Sequence, residues 1–216
     1  MRVIIFGATG MVGRGVLREC LLDERVTAVL TVGRSPTGTV HGKLREIVHA
    51  DLSDLSPIED ELSGYDACFF CLGVSSAGMS ERDYRRVTYD YTLAAGTTLA
   101  RLSPSSTFVY VSGAGTDAHG RAMWARVKGA TENALLALPF HAYMFRPGYI
   151  QPMHGITSRT RWYRLAYVVV APLYPLLRRL FPAEVTTTER IGQAMITVAE
   201  RGAPEHILGP AAINAL

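Results

Sequence analysis

The chain has 216 residues, of which 48% are hydrophobic, 19% charged and 9% aromatic, too apolar and too weakly charged for a disordered or low-complexity protein. At this length roughly 70% of the unfolded chain's surface can be buried, so one domain over residues 1–216 is expected without disulfides or structural metal. Lys and Arg outnumber Asp and Glu by 22 to 19, a formal charge of +3, far from the clustered basic excess of a dedicated nucleic-acid binder.

Short apolar runs alternate with helical patterns along the chain. Arg2 to Phe6 reads as a buried strand and Met11 to Leu22 as a helix; strands follow at Val26 to Val32 and Leu44 to Ala50. Ser56, Pro57 and Glu59 supply N-cap, first-turn proline and capping-box acid for a helix over Pro57 to Leu62. Next come a strand at Asp66 to Leu72, a long helix from Glu81 to Leu102, a strand at Thr107 to Ser112 and a helix at Arg121 to Leu138. Ala142 to Arg146 reads as a sixth strand. The pattern then turns irregular and proline-rich as far as Pro182, and Tyr149 to Pro182 is expected to form a small substrate-side lobe. Thr186 and Glu189 predict a capping box for a helix closed by Gly202, and the sequence HIL near the end predicts a last short strand. Such alternation implies right-handed βαβ units, a doubly wound parallel sheet covered on both faces, hence a three-layer α/β/α fold. Ligands of such sheets bind beyond the carboxyl ends of the strands, where strand order reverses.

Three cysteines, Cys20, Cys68 and Cys71, form no even disulfide framework. Cys68 and Cys71 lie in a strand-like run, where residues three apart point to opposite faces, so they read as core thiols rather than a shared metal or redox pair. The six scattered histidines have no metal-ligand spacing, and no metal is expected. No secretory signal is visible, which predicts a cytoplasmic protein. Leu165 to Leu177 is uncharged but falls short of the about 20 residues that span a bilayer, so no stable membrane span is expected.

Directly after the first strand stands GATGMVG, with Gly7, Gly10 and Gly13 at the spacing of a dinucleotide-binding loop. Glycine suits each point: a tight turn at Gly7, close approach of backbone to a pyrophosphate at Gly10, and close helix–sheet contact at Gly13. The following helix offers free N–H groups and a positive dipole end to the anion. Sites for NAD(H) commonly place an acid at the end of the second strand, about 20 residues past the glycines, to hold the ribose 2′-OH. This chain has Arg34 there, and a guanidinium suits a 2′-phosphate, which predicts NADP(H) over NAD(H). Asp51, after the third strand, is placed either to accept from an adenine amine or to brace the following turn.

The succession GATGMVG, VGR, HADL, CLG, VSG, Lys128 and FRPG resembles the short-chain dehydrogenase/reductase superfamily in its atypical branch, over about residues 1 to 150. The resemblance implies an NAD(P)-binding Rossmann fold. It implies that Gly7, Thr9, Gly10, Met11, Val12 and Gly13 line the pyrophosphate, and Arg34 the 2′-phosphate. Asp51 and Leu52 would meet the adenine, Leu72 and Gly73 the adenosine ribose side, and Pro147 the nicotinamide end. Catalytic members use a Ser, a Tyr and a Lys, with the Tyr four residues before the Lys. Ser112 and Lys128 match that pattern, whereas the tyrosine position holds Trp124, an indole that does not titrate usefully. Tyr149, placed by the resemblance near the nicotinamide end, is the replacement phenol, with Tyr84 and Tyr89 as further candidates; Lys128 without its tyrosine can still bind ribose hydroxyls.

These observations lead to an NADP(H)-dependent oxidoreductase acting on a small organic substrate. The alternative is a catalytically silent NADPH-sensing or protein-interaction module, favoured by Trp124. Helices at 81–102 and 121–138 offer faces for a homodimer.

Overall fold

The computed structural model of the protein describes residues 1–156, 179 and 184–216. Strands β1 (Arg2–Phe6), β2 (Ala28–Gly33), β3 (Leu44–Val48), β4 (Ala67–Phe70), β5 (Thr107–Val111), β6 (His141–Phe145) and β9 (Ile207–Leu208) form one seven-stranded sheet in the order β3-β2-β1-β4-β5-β6-β9. Every neighbouring pair is parallel. The chain winds outward from β1 to β3, then returns to β4 on the other side of β1. Order therefore reverses between β1 and β4, and a crevice opens beyond their carboxyl ends. This is the doubly wound Rossmann architecture that the sequence predicts.

Strand alternation sorts the core into two layers. Val3, Ile5, Phe69, Val109 and Phe145 face helices α1 (Met11–Leu22) and α5 (Thr188–Arg201). Ile4, Phe6, Cys68, Phe70, Phe108 and Tyr110 face the opposite layer with Leu99 and Leu135 of helices α3 (Tyr91–Leu102) and α4 (Met123–Leu136). Rings of Phe6, Phe70, Phe108 and Phe140 stack in series at centroid spacings of 5.3, 5.9 and 5.1 Å, which ties four neighbouring segments of the sheet's second face together. The cysteines follow the same alternation: Cys68 packs in the second layer, while Cys20 and Cys71 belong to the first. All three are free thiols whose pKa burial pushes up.

Three expectations need correction. Residues Ser56–Leu62 form a 3-10 helix whose N-cap is Leu55, not an α-helix capped by Ser56. The Ser56 hydroxyl donates to Asp54 Oδ1 at 2.7 Å, and Glu59 pairs with Arg101, so the expected capping box has lost both members. The helix predicted over 81–102 is divided: α2 (Glu81–Arg85), a π-helical turn at Arg86–Asp90, then α3. At that turn the Thr88 carbonyl accepts from Thr92 Oγ1 at 2.7 Å, a side-chain demand that loosens the helical ladder, while the Thr131 hydroxyl of α4 is spent on Val127 O at 2.8 Å. Finally, α5 is capped by Thr187, whose hydroxyl accepts from Arg190 N at 3.0 Å, while the Thr186 hydroxyl is buried without a hydrogen-bond partner among the described residues. Strand β8 (Val185–Thr187) sets this register by turning Thr186 inward; it pairs in parallel with β7 (Tyr149–Gln151) in a separate two-stranded sheet. Gly202 closes α5 at φ 73°, as expected. Helix α6 (Pro210–Ala215) follows β9. The apolar Leu165 to Leu177 run and most of the expected 149–182 lobe lie outside the described residues.

Candidate functional site: a dinucleotide crevice and its reacting end

The loop between β1 and α1 is built by backbone contacts that leave no room for side chains. Gly7 has φ +79°, and a Cβ there would lie 2.5 Å from Leu72 N. A Cβ on Gly13 would lie 2.1 Å from the Gly7 carbonyl oxygen, so the first turn of α1 sits directly on the loop. Gly10 N donates to Gly7 O at 2.9 Å, and Gly10 caps α1 with no side chain over the helix end. The terminal N–H groups of α1 thus face the crevice with their partial positive charge uncovered. Helix α1 is also held closely from behind, because a Cβ on Gly192 would lie 2.7 Å from Glu19 Cγ.

Beside the loop a cleft is lined by Gly7, Thr9, Arg34, Thr37, Leu52 and Leu72. Arg34 is exposed at the end of β2 and forms no ion pair among the described residues. The carboxylate of Glu46 accepts from Thr37 N at 2.8 Å and Thr31 Oγ1 at 3.1 Å. Glu46 therefore fixes the loop that carries the guanidinium without neutralising it. Asp51 takes the turn-bracing role: its carboxylate accepts from Ser53 N at 3.0 Å and Ser53 Oγ at 2.5 Å, and the Ser53 hydroxyl holds its pKa down. Leu52, next in the chain, contributes a buried side chain to the cleft. Met11 and Val12 open α1 half-buried, and Gly73 continues past Leu72 with open space where a Cβ would point.

At the far end of the crevice, β5 and β6 bring a second group together through side chains. Ser112 N donates to Phe145 O at 2.7 Å and Ala114 N to Pro147 O at 2.9 Å, which joins the two strand ends. Lys128 projects from α4 and its Nζ donates to Ser112 O at 2.9 Å and Val111 O at 3.3 Å. Burial lowers the Lys128 pKa to about 8, with Glu132 one helical turn away opposing the shift. Glu132, 1% exposed, accepts from Arg146 Nε at 3.0 and 3.2 Å, a forked ion pair that locks α4 to the end of β6. Trp124 shares the Lys128 face of the helix, and its ring lies against Gly115, 3.4 Å from where a Cβ would stand.

Of the predicted residues, Gly7, Thr9, Arg34, Leu52 and Leu72 share one cleft, while Ser112, Lys128 and Pro147 gather at the other end. The Tyr149 hydroxyl donates to Gln151 Oε1 at 2.8 Å, the two side chains lying on the same side of β7. Thr116 escaped the sequence reading, yet its hydroxyl is 2.9 Å from Ser112 Oγ. Glu132 and Arg146 were missed too; the i, i+4 step from Lys128 to Glu132 was the one visible hint.

The fold and the glycine loop define a nicotinamide-dinucleotide-binding α/β protein. A family model described as "NAD dependent epimerase/dehydratase family" matches residues 3–125, and the chain belongs to that family. Among curated relatives, "Protein FMP52-1, mitochondrial" of Scheffersomyces stipitis is 28% identical over 192 residues, 86% of this chain and 84% of the relative. Rat "Protein HTATIP2" is 28% identical over 150 residues, 68% of this chain and 61% of the relative. Among solved structures, MoeE5 in complex with UDP-glucose and NAD superimposes with a TM-score of 0.70 at 17% identity, over 97% of this chain and 75% of that one. A short chain dehydrogenase family protein from Francisella tularensis does so at 0.71 and 14%, over 100% and 99%. The names of the FMP52 relatives overturn the expectation of a cytoplasmic protein, since they are called mitochondrial. The lack of a visible secretory signal did not bear on that choice of compartment. Among the described residues no helix is long and apolar enough to cross a membrane.

Proposed function

We propose that the protein is an NADP(H)-dependent oxidoreductase acting on a small organic substrate. One observation carries the coenzyme preference: Arg34 at the end of β2 is exposed and has no ion pair among the described residues, and the Glu46 carboxylate of β3 is committed to Thr31 and Thr37. The glycine cradle suits a pyrophosphate, because a Cβ at Gly7 or Gly13 would fill the loop, and the α1 N-terminus has no side-chain cap. Bound there, the coenzyme would supply or accept hydride. Gly7, Thr9, Gly10, Met11, Val12 and Gly13 hold the pyrophosphate in this reading, Arg34 the 2′-phosphate, and Leu52, Leu72 and Gly73 the adenosine. Lys128, Ser112 and Pro147 bound the nicotinamide end, with the 149–182 lobe on the substrate side of a single domain. A mitochondrial setting, as in the names of the fungal relatives, belongs to this reading.

Calorimetric titration with NADPH and NADH tests it. NADPH is expected to bind tighter, and Arg34→Ala to weaken NADPH by about 10- to 100-fold, the worth of charge-assisted hydrogen bonds to a phosphate, with NADH little changed. Equal affinities that ignore the substitution would remove the NADP(H) assignment.

Trp124 favours a second reading, in which the protein binds the dinucleotide without turnover. The indole stands where the family's proton-transferring phenol is expected, packed on the Gly115 turn. Gain of carbonyl reduction by Trp124→Tyr, from an inactive wild type, would identify a disarmed site.

A further inference from the structure

We infer that the groove at the amino-terminal edge of the sheet, opposite the dinucleotide crevice, is a second ligand site, and that its ligand is an organic ammonium carrying neighbouring hydroxyl groups. The groove has a volume of about 750 Å³ and passes the first residues of β4, β5 and β6, between the carboxyl ends of α3 and α5. Strand alternation lays its floor. Thr107 of β5 stands beside His141 of β6, and Tyr143 lies two residues further on, so the three side chains share the face turned to α5. Gly202, which ends α5, keeps that face open: a Cβ there would lie 3.0 Å from the Tyr143 hydroxyl. Asp66 adjoins them, its carbonyl accepting from Thr107 N at 3.0 Å.

A count of charges sets the sign of the ligand. Arg201 pairs with Glu200 at 3.1 Å, Glu200 with Arg25 at 2.9 Å and Arg25 with Asp23 at 2.7 Å, a chain with two charges of each sign. The Asp66 carboxylate accepts from Arg2 N at 2.6 Å and has no ion pair among the described residues. Helices α3 and α5 both end at the groove, and the carbonyls of their last turns add partial negative charge. One uncompensated carboxylate and two helix C-termini favour a cation and oppose an anion. A count of hydrogen bonds sets the rest. Thr107 and Tyr143 are each 7% exposed, and polar groups buried to that degree take partners. The Thr107 hydroxyl has none among the described residues, and the Tyr143 hydroxyl accepts from Ala203 N at 3.4 Å while its own proton has no acceptor among them. Both can donate to ligand oxygens next to the ammonium. The volume suits an organic molecule rather than a bare ion, and the described residues hold no metal-binding cluster of His, Cys, Asp and Glu.

The test uses the full chain and three linear probes of equal chain length: glucamine, with an ammonium and hydroxyls; sorbitol, with hydroxyls alone; and n-hexylamine, with an ammonium alone. Dissociation constants come from titrations followed through backbone amide shifts. Glucamine is expected to bind about 10-fold or more tighter than either partner probe, the scale of a charge-assisted hydrogen bond. Its shifts should fall at residues 64–66, 102–107 and 199–202. Asp66→Asn, which keeps an oxygen for Arg2 N, should bring glucamine down to the level of sorbitol, and Thr107→Val with Tyr143→Phe down to that of n-hexylamine. In the wild type, added salt should weaken glucamine and leave sorbitol unchanged, a readout that needs no variant. Absence of glucamine binding, equal affinity for glucamine and either other probe, shifts confined to the glycine loop, or a glucamine affinity indifferent to Asp66→Asn or to salt overturns the inference.

Discussion

The two ends of the crevice are built from different material. At the β1–β4 end the site is made of backbone: Gly7, Gly10 and Gly13 bring the loop, the helix terminus and the Leu72 segment within contact of one another, and the cleft side chains are mostly small. At the β5–β6 end it is made of side chains, with Lys128 on two carbonyls, Glu132 forked to Arg146, and Ser112 bonded to Thr116. Backbone construction leaves a surface whose chemistry is general, suited to a phosphate in any member of the family. Side-chain construction leaves one whose chemistry is particular to this sequence, where Trp124 and Thr116 can alter it without changing the fold.

One added methyl group at the backbone-built end is expected to have the largest effect. Gly13→Ala places a Cβ 2.1 Å from Gly7 O, a backbone atom that cannot give way cheaply. A loss of about 3 kcal/mol or more is expected, together with loss of measurable dinucleotide binding, checked by denaturant melts and calorimetry. At the other end, Glu132→Ala leaves the Arg146 guanidinium, 28% exposed, without its carboxylate. Breaking a fully buried pair costs about 3–5 kcal/mol, and the partial exposure of Arg146 reduces that to about 2–3 kcal/mol. Denaturant midpoints should fall accordingly while coenzyme affinity falls far less than for Gly13→Ala.

Titration of Lys128 separates the ends by pH. Its pKa is depressed from 10.5 to about 8, so between these values the unfolded chain carries a proton that the folded chain has released. Wild-type stability should therefore rise with pH across that window relative to Lys128→Met, by about 2 kcal/mol once partial solvent access is allowed for. A flat difference would show that the ammonium is as well solvated in the fold as outside it. The smallest effect concerns the start of α5: Thr187→Ala should cost about 1 kcal/mol through loss of the N-cap, while Thr186→Val, which removes a buried hydroxyl with no hydrogen-bond partner among the described residues, should be neutral or stabilising. Thermal melts of the two variants decide whether Thr187 or Thr186 caps the helix.

The doubly wound sheet was legible in the sequence, because uninterrupted apolar runs such as VIIF and ACFF suit strands buried on both faces, and the three glycines announced a loop that only backbone could fill. So were Arg34 as a cation at the end of β2 and Trp124 as a departure from the expected phenol. Local signals failed where two reasonable partners competed. Ser56 had an acid three residues on but found Asp54, and Thr186 had Glu189 but yielded the cap to Thr187, because strand β8 turned it inward. The π-turn at Arg86–Asp90 had no periodic signature, since widening one turn changes the backbone hydrogen-bond step and not which residues are apolar. Only the packed fold settled that Tyr149 bonds Gln151, that Glu132 meets Arg146, and that the Ser112 and Thr116 hydroxyls share a hydrogen bond. Periodicity records which face of an element is buried, but the partner of a polar group depends on which other elements reach it, and that is settled only when the sheet has closed and the helices have packed.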